Sequence, residues 1–260
     1  SRRIKASEFK SCQANGVAQV TEIAFGLDGL AIGTSKKTGL TNLSLRDVYV
    51  ALAKAPFGKP NTTKTWKDVN GNLPALPIRI YGPPSTSGTR SSIEDLFMEP
   101  ACAASPAMAA LKKSNEAKYN SICKGIREDG AYVEAGENDN LIVQKLVANP
   151  NALGIFGFSF VVQNANAIKD IPIDGVEAKY ETIADGSYKL SRPLFIYAKK
   201  QHVGTIPGMA EFVAEYVSDK ALGEDGYLSE KGLVTLPGEQ ADKTRAVAKD
   251  MTALKAEDVK

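Results

Sequence analysis

One histidine, one tryptophan and three cysteines stand in 260 residues, and each scarcity narrows the chemistry. His202 alone argues against a histidine-based triad or a multi-histidine metal site, and its polar surroundings after a strand place it at the surface. Cys12, Cys102 and Cys123 match no zinc spacing. They read either as buried thiols or, in an exported protein, as a Cys102–Cys123 bridge with Cys12 left over. That bridge would close a loop of about 20 residues, worth about 3 kcal/mol. No apolar run approaches the roughly 18 residues of a membrane helix. Charge of one sign is also lacking, with 32 basic and 30 acidic residues and a net charge of +2, so there is no electrostatic case for nucleic acid or an anionic membrane.

The composition is that of a soluble globular protein, 43% hydrophobic and 24% charged. Strand-like runs cover residues 20–25 and 29–33, broken at Gly26 and Asp28, and residues 78–81, 131–134, 154–158 and 193–198. Apolar spacing predicts helices over 45–54, 93–98, 107–118, 141–148 and 209–217, and the charged tail after Gly238 reads as helical. Leu45, Val48 and Leu52 are expected to face the core. Trp66 falls in a loop rich in glycine, proline, asparagine and threonine between Pro56 and Pro77. Strands alternating with helices predict an α/β fold.

The segment that carries chemistry is a strand, then Ser85-Thr86-Ser87-Gly88-Thr89-Arg90, then a helix. The free amides of a first helical turn suit an oxyanion. Gly88 permits close backbone approach, Ser87 and Thr89 add hydroxyls, and Arg90 offers a bidentate fork. A serine- and threonine-rich helix cap without a ligand has the same pattern. The glycine and lysine spacing of a Walker loop is missing.

With these residues in view, the sequence resembles the PstS-type phosphate-binding proteins of bacterial uptake transporters. The likeness runs through Ser1 to Glu8, Gly26 to Ile32, Leu43 to Lys54 with Trp66, Ser87-Gly88-Thr89, Gly136 to Asp139 and Gly154 to Gly157. It implies a two-lobed periplasmic binding protein (type II), with a ligand cleft between lobes joined by crossing strands. Residues 1–35 and 186–260 would form the first lobe and 36–185 the second. The ligand would be inorganic phosphate, held by Ser1, Arg2, Ser87, Gly88, Thr89 and Arg90, with Asn138 and Asp139 as possible additional contacts. No catalysis, cofactor, metal or nucleic acid is implied. The protein would be an exported monomer, periplasmic or extracellular, that delivers phosphate to the membrane permease of an ABC importer.

Two departures from the family's pattern stand out. Arg2 occupies the place of an aspartate that accepts a proton from phosphate, and Pro83 the place of an arginine. The expectation is a more positive pocket in which Arg2 and Arg90 hold the anion, with the proton-accepting filter against sulfate either weakened or supplied by another carboxylate such as Asp139 or Glu137. The family's first strand, first helix and first phosphate contacts would lie upstream of Ser1, so the expectation is that the natural protein is longer or that a separate piece supplies the missing part. The rival readings are a binding protein for sulfate or molybdate and a serine hydrolase or phosphatase using Ser87. The hydrolase has little support, since no Gly-x-Ser-x-Gly elbow surrounds Ser87.

Overall fold

The computed structural model describes residues 2–136 and 138–259. The chain divides into two compact units. One takes the chain up to Asp28, Ile183–Asp185 and the chain from Arg192 onward; the other takes Gly29–Thr182 and Gly186–Ser191. Six strands carry the sheet: β1 (Val20–Ser35), β2 (Ile80–Gly82), β3 (Tyr132–Glu134), β4 (Leu153–Gly157), β5 (Ile168–Asp170) and β6 (Ser191–Lys199). Their order is β3-β2-β4-β1-β5, with β6 also paired to β1. β2 runs parallel to both β3 and β4, whereas β1 is antiparallel to β4 and β5. The α/β expectation therefore holds, with a mixed sheet.

β1 is one 16-residue strand, not the two runs that Gly26 and Asp28 suggested. Gly26 serves close approach instead of a break. A Cβ there would meet Leu233 Cδ1 at 2.5 Å, and the neighbouring Leu27 N–H donates to the Val234 carbonyl at 2.7 Å. Asp28 is half-buried and receives Arg192 Nη2 at 3.0 Å. Burial raises its pKa, with the Arg192 charge opposing.

The second unit holds most of the large buried side chains, among them Trp66, Tyr49, Tyr119, Phe97 and Phe156. Helix Leu45–Leu52 starts at a reciprocal cap, in which the Asp47 N–H donates to Ser44 Oγ and the Ser44 N–H donates to Asp47 Oδ2. The helix stops before the expected Lys54 because Ala53 turns extended and bridges to Ile126. Val48 and Leu52 are buried as expected. Leu45 is only half-buried, since the first turn faces a cavity of about 540 Å³ lined also by Arg46, Phe57 and Asp174. Trp66 is not a loop residue but opens the short helix Trp66–Val69, capped by Thr65.

The helix expected from residue 93 begins earlier, at Gly88. It continues through a wider π-type segment, Glu94–Met98, into Glu99–Ala103. The one expected over 107–118 is split at Asn115, whose side chain caps the second half, Glu116–Cys123. Cys102 and Cys123 form a disulfide, both sulfurs buried, while Cys12 is a half-buried free thiol in the other unit. That other unit packs helices Met209–Tyr216 and Gly238–Asp250 onto Ile23 and Ala198. A second cluster there joins Phe9, Val17, Val20 and Val259. His202 is half-buried, in a short turn after β6. No described helix is long and apolar enough to cross a membrane.

Candidate anion site

Three parallel strands of the second unit each lead into a helix. β2 leads to Gly88–Ile93, β3 to Asp139–Ala148, and β4 to Phe158–Gln163. Parallel strands share a direction, so the three helices start beyond the same carboxyl edge of the sheet, the edge where open α/β sheets place ligands. The partial positive charge of those first turns favours an anion.

The first of these turns is the Ser85–Arg90 segment. Ser87 is its cap, in extended conformation, and its Oγ accepts from the Thr89 N–H at 3.1 Å. The Ser87 N–H donates to the Pro84 carbonyl at 3.0 Å, closing a turn that reverses the chain after β2. Ser92 Oγ donates to the Gly88 carbonyl at 3.1 Å. The segment is thus an ordered cap whose serine and first amides can turn to an oxyanion by exchanging internal hydrogen bonds for ligand bonds.

Beneath it lies Arg90, only 9% exposed. Its guanidinium sits 4.7 Å from the Tyr132 ring centroid. Nε lies 3.6 Å from Glu94 Oε1, and Nη1 lies 3.6 Å from Glu134 Oε1. Neither nitrogen makes a hydrogen bond, although both are buried. One cation therefore stands between two carboxylates, which offset part of the positive charge expected for Arg90. Tyr132 donates its hydroxyl to the Pro83 carbonyl at 2.6 Å, and burial pushes that hydroxyl up to about 12 despite the Arg90 charge. Glu134 accepts from the Ser85 N–H at 3.1 Å.

The other candidates fall elsewhere. Arg2 lies in the first unit and grips Glu8 through both nitrogens, at 2.9 and 2.7 Å. The Arg2 hydrogen bonds hold the Glu8 carboxyl at about 2. Asn138 caps helix Asp139–Ala148, its Oδ1 accepting from the Asn140 N–H at 3.0 Å, and Asp139 opens that helix. Ser1 and Glu137 lie outside the described residues. No cluster of three metal-ligating side chains occurs among the described residues.

The profile of the PBP superfamily domain matches residues 1–220. The chain belongs to the PBP superfamily. It is similar to the phosphate-binding protein PstS of Staphylococcus epidermidis (strain ATCC 12228 / FDA PCI 1200), 30% identical over 240 residues that cover 88% of this chain and 62% of that one. It is also similar to the protein SphX of Synechococcus elongatus, 30% identical over 91% of this chain and 62% of the relative. The chain thus spans a little under two thirds of the length of these curated relatives. Among solved structures, a possible phosphate-binding protein from Planctomyces limnophilus superposes with a TM-score of 0.60 at 26% identity, over 96% of this chain and 78% of that one. A putative phosphate transporter substrate-binding protein with bound phosphate from Clostridium perfringens shares the fold, with a TM-score of 0.61 at 22% identity over 91% of this chain and 77% of its own.

Tyr132, Glu134 and Glu94 were not among the residues singled out from the sequence. The available signal was the strand at 131–134. Alternate residues of a strand face the same side, so Tyr132 and Glu134 had to act together on whatever β3 adjoins.

Proposed function

We propose that this chain is the phosphate-binding part of a solute-binding protein that passes inorganic phosphate to the permease of an ABC importer. The reading includes export to the periplasm or cell exterior, a monomeric state and no catalysis. The observation that carries it is the capped Ser85–Arg90 turn at the shared carboxyl edge of β2, β3 and β4. The names of the relatives support phosphate as the anion. Ser87 Oγ, the amides of Gly88 and Thr89 and the Thr89 hydroxyl are the proposed donors, with Arg90 behind them supplying charge. Ser1, Arg2, Asn138 and Asp139 complete the proposed set; for Arg2 this means sharing its guanidinium with Glu8 or releasing it.

Calorimetry with phosphate and with sulfate between about pH 5 and 8 tests this reading, because only phosphate changes its proton count in that range. Phosphate should bind and sulfate should not compete. Equal affinity for sulfate would shift the reading to a general oxyanion binder. Release of nitrophenol from p-nitrophenyl phosphate, abolished by Ser87→Ala, would replace it with a hydrolase.

A further inference from the structure

β3 is three residues long, yet it touches the turn formed by residues 83–90 at three points. Tyr132 and Glu134 are two residues apart on one strand and so lie on one side of it. β3 is parallel to β2 in a register that sets Ile80 against Tyr132 and Gly82 against Glu134. The Tyr132 ring passes over Gly82, where a Cβ would stand 2.4 Å from the tyrosine oxygen. Only a glycine leaves room for the hydroxyl to reach the Pro83 carbonyl at the start of the turn. The Glu134 carboxylate receives the Ser85 N–H two residues further on. At its far end the Arg90 guanidinium lies on the Tyr132 ring, with Glu134 at 3.6 Å.

We propose that Tyr132, assisted by Glu134, is the positioning residue of the anion site. It fixes where the Ser87–Thr89 donors stand, through the Pro83 carbonyl at one end of the turn and through Arg90 at the other. This inference rests on the phosphate-binding reading for its ligand, but its structural half does not. A turn bound only by its own cap hydrogen bonds could take several orientations relative to the sheet. A rigid phenol that meets both of its ends selects one, and pre-set donors bind an anion more tightly than donors that must be ordered on binding. Direct contact between Tyr132 and the anion is not required: the hydroxyl is spent on Pro83 and the ring on Arg90.

The test uses Tyr132→Phe, which keeps the ring under Arg90 and removes the Pro83 hydrogen bond, and Tyr132→Leu, which removes both. Phosphate affinity should fall about tenfold in the first and about a hundredfold in the second. The step from phenylalanine to leucine should shrink to less than twofold when made on Arg90→Ala, because the ring acts through Arg90. A purely structural tyrosine would give the same step in both backgrounds, and that result, or wild-type affinity in Tyr132→Leu, would overturn the proposal. Hydrogen exchange of the amides from Ser85 to Arg90, measured without ligand, decides the case independently. Faster exchange in Tyr132→Phe, with the remaining sheet amides unchanged, supports the positioning role; unchanged exchange in the turn refutes it. If the wild-type chain binds no phosphate, the phosphate reading fails while the exchange result still judges Tyr132.

Discussion

Arg90 and Arg2 carry the same charge and both meet glutamates, yet the two pairs are built differently. Arg90 is buried between Glu94, Glu134 and an aromatic ring, at ion-pair distances too long for hydrogen bonds. Arg2 is a third exposed and spends a full bidentate fork on Glu8. The first arrangement keeps donor capacity unspent in a low-dielectric setting, where charge acts strongly. The second uses that capacity in contact with water, where a pair is worth little. Burial and residual valence, more than formal charge, set the two pairs apart: an anion could use Arg90 as it stands, whereas Arg2 would have to share its guanidinium with Glu8 or release it.

The sharpest way to break this comparison is Arg90→Ala. Loss of a buried charged partner should weaken phosphate binding by about 1.5–3 kcal/mol, read by calorimetry. Arg90→Lys should recover only part, since a point charge stacks poorly on Tyr132. An unchanged dissociation constant for Arg90→Ala would remove Arg90 from the site.

A pH-dependent effect, with a slope of at most about 1.4 kcal/mol per pH unit, concerns a half-buried acid in the same unit as Arg90. Asp170 receives the Ala178 N–H at 2.8 Å on one oxygen, while its other oxygen is buried without a hydrogen bond. Burial, aided by nearby Glu177, lifts its pKa from 3.8 to about 7. Between those values the native carboxyl keeps a proton that the unfolded one has released. Stability should therefore fall as pH rises from about 4 to about 7, then level off. Asp170→Asn should flatten that slope in urea unfolding followed across this range; an identical slope in the variant would show that Asp170 does not cause it.

The smallest effect is expected for Arg2→Ala, a loss of less than about 1 kcal/mol in stability that shrinks further in high salt. Glu8 works in the opposite sense to Asp170. Its carboxyl is held at about 2 against an ordinary 4.5, so its contribution is present above pH 4.5 and lost as pH falls towards 2. A loss of phosphate affinity in Arg2→Ala as large as that in Arg90→Ala would erase the distinction between the two arginines and make Arg2 a full ligand.

Local features of the fold could be read along the chain. The Ser44 cap, the Ser87 cap with its following helix, and the strand at 131–134 all follow from a few adjacent residues. Less legible were features whose causes lie far off in sequence. Gly26 reads as a break until Leu233 is packed against it, more than 200 positions later. Trp66 reads as a loop residue because glycine, proline and polar residues surround it, whereas its ring fills the core. The geometry of the candidate site was legible by half. Ser87, Gly88 and Thr89 are contiguous, but the compensation of Arg90 depends on β3 pairing beside β2, some 50 residues away.

The continuity of β1 sets an order of events during synthesis. Residues 29–191, which include nearly all of the second unit's sheet and its disulfide, leave the ribosome before residue 192 does. The earlier half of the same strand must wait. Ile23 is already made, but Ala198, Val213, Val217, Ala248 and Met251, which bury it, are still to come. A newly made chain therefore has β4 and β5 available beside residues 30–35 of β1 before β6 is made. Until β6 arrives to pair with β1, that strand keeps an unpaired edge, which is open to mispairing with another chain.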